Sequence, residues 1–357
     1  MNSSVFFSSL ASVSIVSAIS LSGVVAIPIQ RSTLNRVVFI LLSLATGAML
    51  GNAVVNLVPE SFENASTAVV WSLSLVGIML CFILYKVLNV GCHHATGGHC
   101  RDEHCKCEAK KLCKGPACAI KSIASFLREA AISFGPPVAT IAAYELLTAG
   151  VGLDRTPASG LVCAAVLLWF VVNKVRRSRH NHGDNHGDHH GHSHSEHTPL
   201  SGAPAGHIHH TGWMSLVSHA MDNFMDGVLI AVAYQVSPEV GIATTLAIVL
   251  HEIPMEFGGF GVLINAGFSR WAAIGINFGS AMVATSGTLL TLWLGSRVQG
   301  LSVWLTPLCA AIVLNITLSG LMPQLHKETR WKYSLLQVAI ILVGTAAIFT
   351  VHCFFPE

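Results

Sequence analysis

The chain has 357 residues, of which 52% are hydrophobic and 11% are Asp, Glu, Lys or Arg; mean hydropathy is +0.61. Soluble globular domains carry about 25% charged residues, so this composition excludes a soluble fold and specifies a polytopic membrane protein. A formal net charge of +2 selects no class of partner, and nothing in the charge pattern points to nucleic acid.

Apolar runs of about 20 residues, enough to cross about 30 Å of hydrocarbon, fall near 5–28, 37–58, 68–90, 213–236, 240–266, 271–294, 301–322 and 334–354. Barrel-type alternation is absent, so the fold is predicted to be an all-α bundle whose spans satisfy their own backbone polar groups. The first run lies where a signal peptide would. It lacks a basic n-region and is longer than a typical h-region, so it reads as a span. Two weaker segments, 130–152 and 156–175, lie between the third and fourth strong spans. The predicted organisation is therefore helices 1–3 in 1–90, a Cys/His-rich loop in 91–129, an extra hydrophobic hairpin in 130–178, a disordered His-rich loop in 179–212 and helices 4–8 in 213–357.

Basic residues orient the spans, because Lys and Arg favour cytosolic loops. Arg31, Arg36, Arg270, Lys327, Arg330 and Lys332 mark three cytosolic loops, which puts both termini outside, or in the lumen of an internal membrane. The acidic "PESFENAS" then faces out, with Asn64-Ala65-Ser66 as a glycosylation acceptor. Arg297 is the one exception. Lys106, Lys110, Lys111 and Lys114 mark a further cytosolic loop, as do Lys174, Arg176, Arg177 and Arg179. Apolar material between those loops must cross twice or not at all. A hairpin gives ten crossings; segments that re-enter or lie on the membrane give eight. "ASGLVCAAVLLWFVVNK" is a full span by itself and favours the hairpin, while Gly135-Pro136-Pro137 weakens its partner.

The first cytosolic loop gathers Cys92, His93, His94, His99, Cys100, His104, Cys105, Cys107, Cys113 and Cys118. Cytosolic thiols stay reduced, so a metal-capture cluster is expected there; the bland alternative is a solvated linker. Mixed thiolate and imidazole suit zinc, Cu(I) or Fe(II), although the spacing matches no standard zinc finger. The second loop, "RHNHGDNHGDHHGHSHSEHTPLSGAPAGHIHH", includes His189, His190, His192 and His194 among Gly, Asp, Asn and Ser. Such a composition cannot bury a core. Its imidazoles form a weak, multi-site trap for divalent ions, against the plainer reading of a solubilising linker.

The informative residues lie inside the spans. In "HAMDNFMDGVLIAVAY", His219, Asp222, Asn223 and Asp226 stand at i, i+3, i+4 and i+7, on one helical face. In "HEIPMEFGGFGVLINAGF", His251 and Met255 form an i, i+4 pair, as do Glu252 and Glu256. Pro254 frees the carbonyl of Leu250 at membrane depth. Ionisable groups there are costly, face a bundle interior or a wet cavity, and mark an ion path. Two such faces on adjacent spans could hold a partly dehydrated divalent cation. The structural alternative is a polar cluster that serves only packing.

These motifs resemble those of the ZIP (Zrt/Irt-like) metal transporters. "DNFMDGVLIA" is similar to the family's fourth-helix motif and "HEIPMEFGGFGVLINAG" to its fifth. "ATGAMLGNAVVNLVPES" is similar to its second helix, "NFGSAMVATSG" to the sixth and "AAIVLNITLSGLMPQL" to the seventh. The resemblance implies eight core helices with outside termini, the first three related to the last three as an inverted repeat. It implies a binuclear metal site between the fourth and fifth helices, and divalent metal moving into the cytosol. Asp222, Asp226, His251 and Met255 match the positions of one metal; Asn223, Asp226, Glu252 and Met255 match those of its neighbour. A homodimer is implied by the resemblance alone.

The departures from the family pattern have chemical consequences. The family usually has His where Asp222 stands, His or Glu at Met255, Asp at Gly259, and acidic or His residues at Asn52, Asn56, Gly320 and Gln324. Asp222 hardens the site toward Mn(II) or Fe(II), whereas a Met255 thioether favours soft ions. His219 either replaces the lost imidazole or is a satisfied helix-end histidine. One competent transport site in place of two is expected. Ligands must be deprotonated, so transport should weaken at acid pH.

Other functions fit less well. His251-Glu252 is similar to the start of an H-E-x-x-H zinc-protease motif, but Met255 stands where the second histidine is required. A cation-diffusion exporter would have about six spans and an H-x-x-x-D pair on two helices, which is missing here. A transport-impaired metal sensor is the remaining alternative. The expectation is a non-enzymatic carrier of zinc first, then iron or manganese, with no resident cofactor.

Overall fold

The computed structural model describes residues 3–19, 31–94, 131, 133–180, 210–265, 268–325 and 331–354. Among them there is no strand. Helix α1 is Ser3–Ile19. Helix α2 runs through Arg31–Gly51, a π-helical segment Asn52–Leu57, and Val58–Asn64. α3 is Thr67–His94. α4 covers 133–145 and ends in a π turn, Leu146–Gly150. α5 is Arg155–His180, α6 His210–Val236, α7 Pro238–Asn265 and α8 Arg270–Arg297. α9 is Leu301–Asn315, continued by a second π segment, Ile316–Leu321, and Met322–Leu325; α10 is Trp331–Phe354.

Six of these helices are long and apolar enough to cross a membrane: those beginning at Arg36, Arg155, Pro238, Arg270, Leu301 and Tyr333. α6 is not among them, because Asp222, Asn223 and Asp226 dilute its apolar character. The expected span at 213–236 is thus a helix whose polar residues need protein around them. α5 is a span in its own right, whereas α4 is not in that set. Large apolar side chains cover the outer faces: Trp271 is 82% exposed and Val343 61%. The molecule is an integral membrane protein whose polar groups turn inward.

Helix pairing follows an internal exchange. α2 packs along α10, and α9 along α3; α6 packs along α8, and α7 along α1. Exchanging α1, α2, α3 with α8, α9, α10, and α6 with α7, turns each of these pairings into its partner. Two of the three described π segments, Asn52–Leu57 and Ile316–Leu321, stand at matching places, each followed two residues later by a proline, Pro59 and Pro323. π turns inside α-helices are rare and gather at functional positions, so their repetition supports the inverted-repeat plan.

Local sequence explains the joints. Ser237 accepts from Val240 N at 3.2 Å and Pro238 takes the first helical position, so α7 starts one residue after α6 ends. That short joint makes α6 and α7 antiparallel neighbours. Gly300, at φ 70°, turns the chain between α8 and α9. Small residues then let α6 and α8 touch: a Cβ at Gly227 would collide with the Ala284 carbonyl, and one at Gly287 with the Phe224 carbonyl. Thr288 Oγ1 donates to the Gly227 carbonyl at 2.9 Å.

The α4–α5 hairpin is bonded into the bundle. Trp71 Nε1 donates to Glu145 Oε2 at 2.6 Å, and Arg155 pairs with Glu63. Ser159 Oγ donates at 3.0 Å to the Val54 carbonyl inside the first π segment. Lys174 Nζ donates to the Leu325 carbonyl at 3.0 Å and also to Gln337. Asn315 Nδ2 donates to the Ser133 carbonyl at 2.9 Å. These bonds tie α4 and α5 to α2, α9 and α10.

Candidate metal site

α6 and α7 bring the intramembrane residues to one place. His219, Asn223, Asp226, His251, Glu252 and Glu256 are all buried, with Glu256 and Asn223 at 0% exposure. Asp222 and Met255 on the same two helices are partly exposed. Among the described residues, five buried side-chain polar atoms find no hydrogen-bond partner in the protein. Four of them are here: Asn223 Oδ1, Asp226 Oδ2, His251 Nδ1 and Glu252 Oε1. Buried polar atoms in native proteins are almost always paired, and each left unpaired costs about 1–3 kcal/mol. Four orphans on two facing helices are candidate ligand atoms, since all four can coordinate a cation.

The carboxyl groups of Asp226 and Glu252 face each other within hydrogen-bond reach. Facing carboxyls in a dry interior require a cation or a shared proton. His219 Nε2 lies 3.1 Å from Glu256 Oε1, and Asn223 Nδ2 donates to the His219 carbonyl at 3.0 Å. Among the described residues, the group of three His, Cys, Asp or Glu residues whose ligand atoms all lie within 4.8 Å of one another is His219, Glu252 and Glu256. Asp222, Asp226 and His251 stand outside that group. His219 is no helix-end histidine: α6 begins at His210, more than two turns earlier.

Asn277 of α8 has no place in the expectation from sequence. Its Nδ2 donates to Glu256 Oε2 at 2.7 Å and approaches the Glu256 carbonyl at 3.4 Å. The signal was an amide inside an apolar span, within the very motif "NFGSAMVATSG". Gly259 lies beside it, where a Cβ would come 3.8 Å from Asn277 Oδ1. Asn52 and Asn56, where the family carries stronger ligands, instead form a neutral chain: Asn52 Nδ2 donates to Thr244 Oγ1 at 3.0 Å, and Asn56 Nδ2 to Asn52 Oδ1 at 3.0 Å.

The loop ligands cannot be placed. Cys92, His93 and His94 end the backbone of α3, but their side chains lie outside the described residues. His99, Cys100, His104, Cys105, Cys107, Cys113, Cys118, His189, His190, His192 and His194 also lie outside them.

A family profile described as "ZIP Zinc transporter" matches residues 3–352. Among curated proteins, the chain is 36% identical over 136 residues to zinc transporter ZIP13 of Danio rerio, covering 38% of this chain and 39% of the relative. It is 34% identical over 146 residues to the Mus musculus protein of that name, covering 40% of each. It is 36% identical over 142 residues to the ZIP13 homolog of Drosophila melanogaster, covering 38% and 39%. The aligned part thus spans about two-fifths of the curated relatives it matches.

Proposed function

Because this chain belongs to the ZIP zinc transporter family, we propose that it carries divalent transition metal, zinc first and iron(II) or manganese(II) after it, into the cytosol through the α6–α7 site. The single observation behind this is the set of four orphaned buried atoms on Asn223, Asp226, His251 and Glu252. An interior built for packing would pair them; an interior built for a passing cation leaves them for the ion.

The ion enters from the outer or lumenal side, sheds most of its water, and is held by Asp222, Asp226 and His251, with Glu252 and Glu256 nearby. Asp226 is the ligand shared by both sets that the family implies, and it faces Glu252 of α7. Carboxylate charge offsets the desolvation that a bare divalent ion would suffer in a low-dielectric interior. A shift between two arrangements of the bundle then opens the site to the cytosol, where the cysteine and histidine loops receive the ion. Residues 130–178 are an inserted hairpin beside the eight core helices. A plasma or internal membrane with lumenal termini, a lipid-facing outer surface and a homodimer complete the proposal.

A metal sensor that no longer transports is favoured by one feature, the exchanges at Met255 and Gly259 relative to the family. Isotopic zinc uptake in cells expressing the chain separates the two. Asp226→Ala should abolish uptake while the protein stays in the membrane at its normal level. Unchanged uptake by that variant contradicts the carrier.

A further inference from the structure

We propose a second divalent-cation station in this chain, made by His219, Glu252 and Glu256 and latched by Asn277 of α8. It lies about one helical turn from the Asp222–Asp226–His251 set, toward the helix ends at Ser269 and Arg270. On the carrier reading, which this proposal deepens, that is the cytosolic, exit side.

Three separate features carry it. The ligand atoms of the three residues all fall within 4.8 Å of one another, close enough for one small ion to contact each after modest side-chain adjustment. All three side chains are buried, at 8%, 2% and 0% exposure, so bulk water does not compete. Glu252 Oε1 has no partner in the protein, which leaves a carboxylate oxygen of the trio open to a ligand.

The donor set fixes the cargo class. One imidazole nitrogen and two carboxylates suit Zn(II), Fe(II) and Mn(II), and contain no sulfur to retain a soft ion. Two carboxylate charges match the charge of a divalent ion, so the loaded station is close to neutral. Three protein ligands leave a coordination position free, as in sites where a ligand must exchange. An ion in transit needs such a position; a permanently held structural ion does not.

The empty station is self-contained. His219 Nε2 rests on Glu256 Oε1 at 3.1 Å, and Asn277 holds Glu256 Oε2 at 2.7 Å. Loading replaces the imidazole–carboxylate hydrogen bond with two coordination bonds, while Asn277 keeps one oxygen of Glu256 oriented. The imidazole that the family usually places at 222 is thereby supplied three residues earlier, and the third side of the station comes from a helix outside the α6–α7 pair.

The deciding experiment is zinc-edge anomalous scattering from crystals of the full chain grown with Zn²⁺. A peak about 2.0–2.2 Å from His219 Nε2 and from oxygens of Glu252 and Glu256 is expected, and it should vanish in His219→Ala while any peak at Asp226 and His251 remains. A map with zinc at Asp226 and His251 alone, and the His219–Glu256 contact intact, overturns the station without touching the carrier. In cells, His219→Cys places a soft donor on the path. Competition of cadmium against manganese for isotopic zinc uptake should then rise on the order of tenfold, as soft ions favour thiolate. An unchanged ratio, with the variant in the membrane at the normal level, also overturns the station. No uptake by the unmodified chain would refute the carrier, and the map would still decide the station.

Discussion

Asp226→Asn makes the sharpest demand on the site, because it should move stability and binding in opposite directions. The substitution keeps size and shape but removes one of two carboxyls that face each other within hydrogen-bond reach. Two like charges about 4 Å apart, at an effective dielectric of about 20, repel by about 4 kcal/mol. A shared proton relieves part of that, so the metal-free variant should be more stable than the parent by about 1–3 kcal/mol, roughly 5- to 150-fold in the unfolding constant. An Asn amide can also donate to Glu252, satisfying one of the orphaned oxygens. Zinc should reverse the order. At a free concentration about 100 times Kd, a ligand that binds the folded protein alone adds about 2.7 kcal/mol, and the variant should lose most of that gain. The assay is denaturant unfolding of the purified chain in mild detergent, with chelator and with Zn²⁺. A metal-free variant less stable than the parent, together with equal zinc stabilisation of both proteins, would refute the view that these carboxyls are arranged for a cation.

Gly227→Ala should cost about 1–3 kcal/mol, the usual range for overpacking, because the new methyl meets the Ala284 backbone and the Thr288 bond must lengthen; thermal unfolding reads it, and an unchanged midpoint would contradict the close approach of α6 and α8. Met255→His replaces a thioether with the family's imidazole, so the apparent KM for zinc uptake should fall about tenfold relative to cadmium; an unchanged ratio would mean that Met255 does not touch the ion. Gly259→Asp places a second carboxylate, after Glu256, beside Asn277, and a charge at membrane depth costs about 2.5–3.5 kcal/mol. Metal-free stability should drop by an amount of that order and Zn²⁺ should restore it, whereas Gly259→Asn, lacking the charge, should show neither effect.

Much of the fold was legible because lipid imposes length. The apolar runs at 271–294, 301–322 and 334–354 lie within α8, α9 and α10, differing by a few residues at their ends. The ends differ because capping residues such as Ser269, which accepts from Ala272 N at 3.2 Å, extend a helix past its apolar stretch. The π segments were not legible: they change the hydrogen-bond register without changing composition, and Asn52 reads as an ordinary polar residue in a span. At the site, helical spacing placed His219, Asn223 and Asp226 on one face and Glu252 with Glu256 on another. Which residue meets which depends on how α6 and α7 are rotated about their axes, and one-dimensional spacing does not contain that. Asn277 was missed for the same reason, since its partner Glu256 lies 21 positions away.

The inverted repeat and the hairpin pull in different directions. An alternating carrier needs two arrangements of similar energy, and a bundle that maps onto itself when its halves exchange meets that need, because each inward-facing set of contacts has an outward-facing counterpart. The α4–α5 hairpin has no counterpart. It bonds to α2 of the first half through Ser159 and the Val54 carbonyl, and to α9 and α10 of the second through Asn315, Leu325 and Gln337. Movement of one half against the other must shear one of these sets. On the carrier proposal the hairpin would weight one arrangement over the other, with the Ser159–Val54 bond joining it to the helix that carries Asn52 and Asn56.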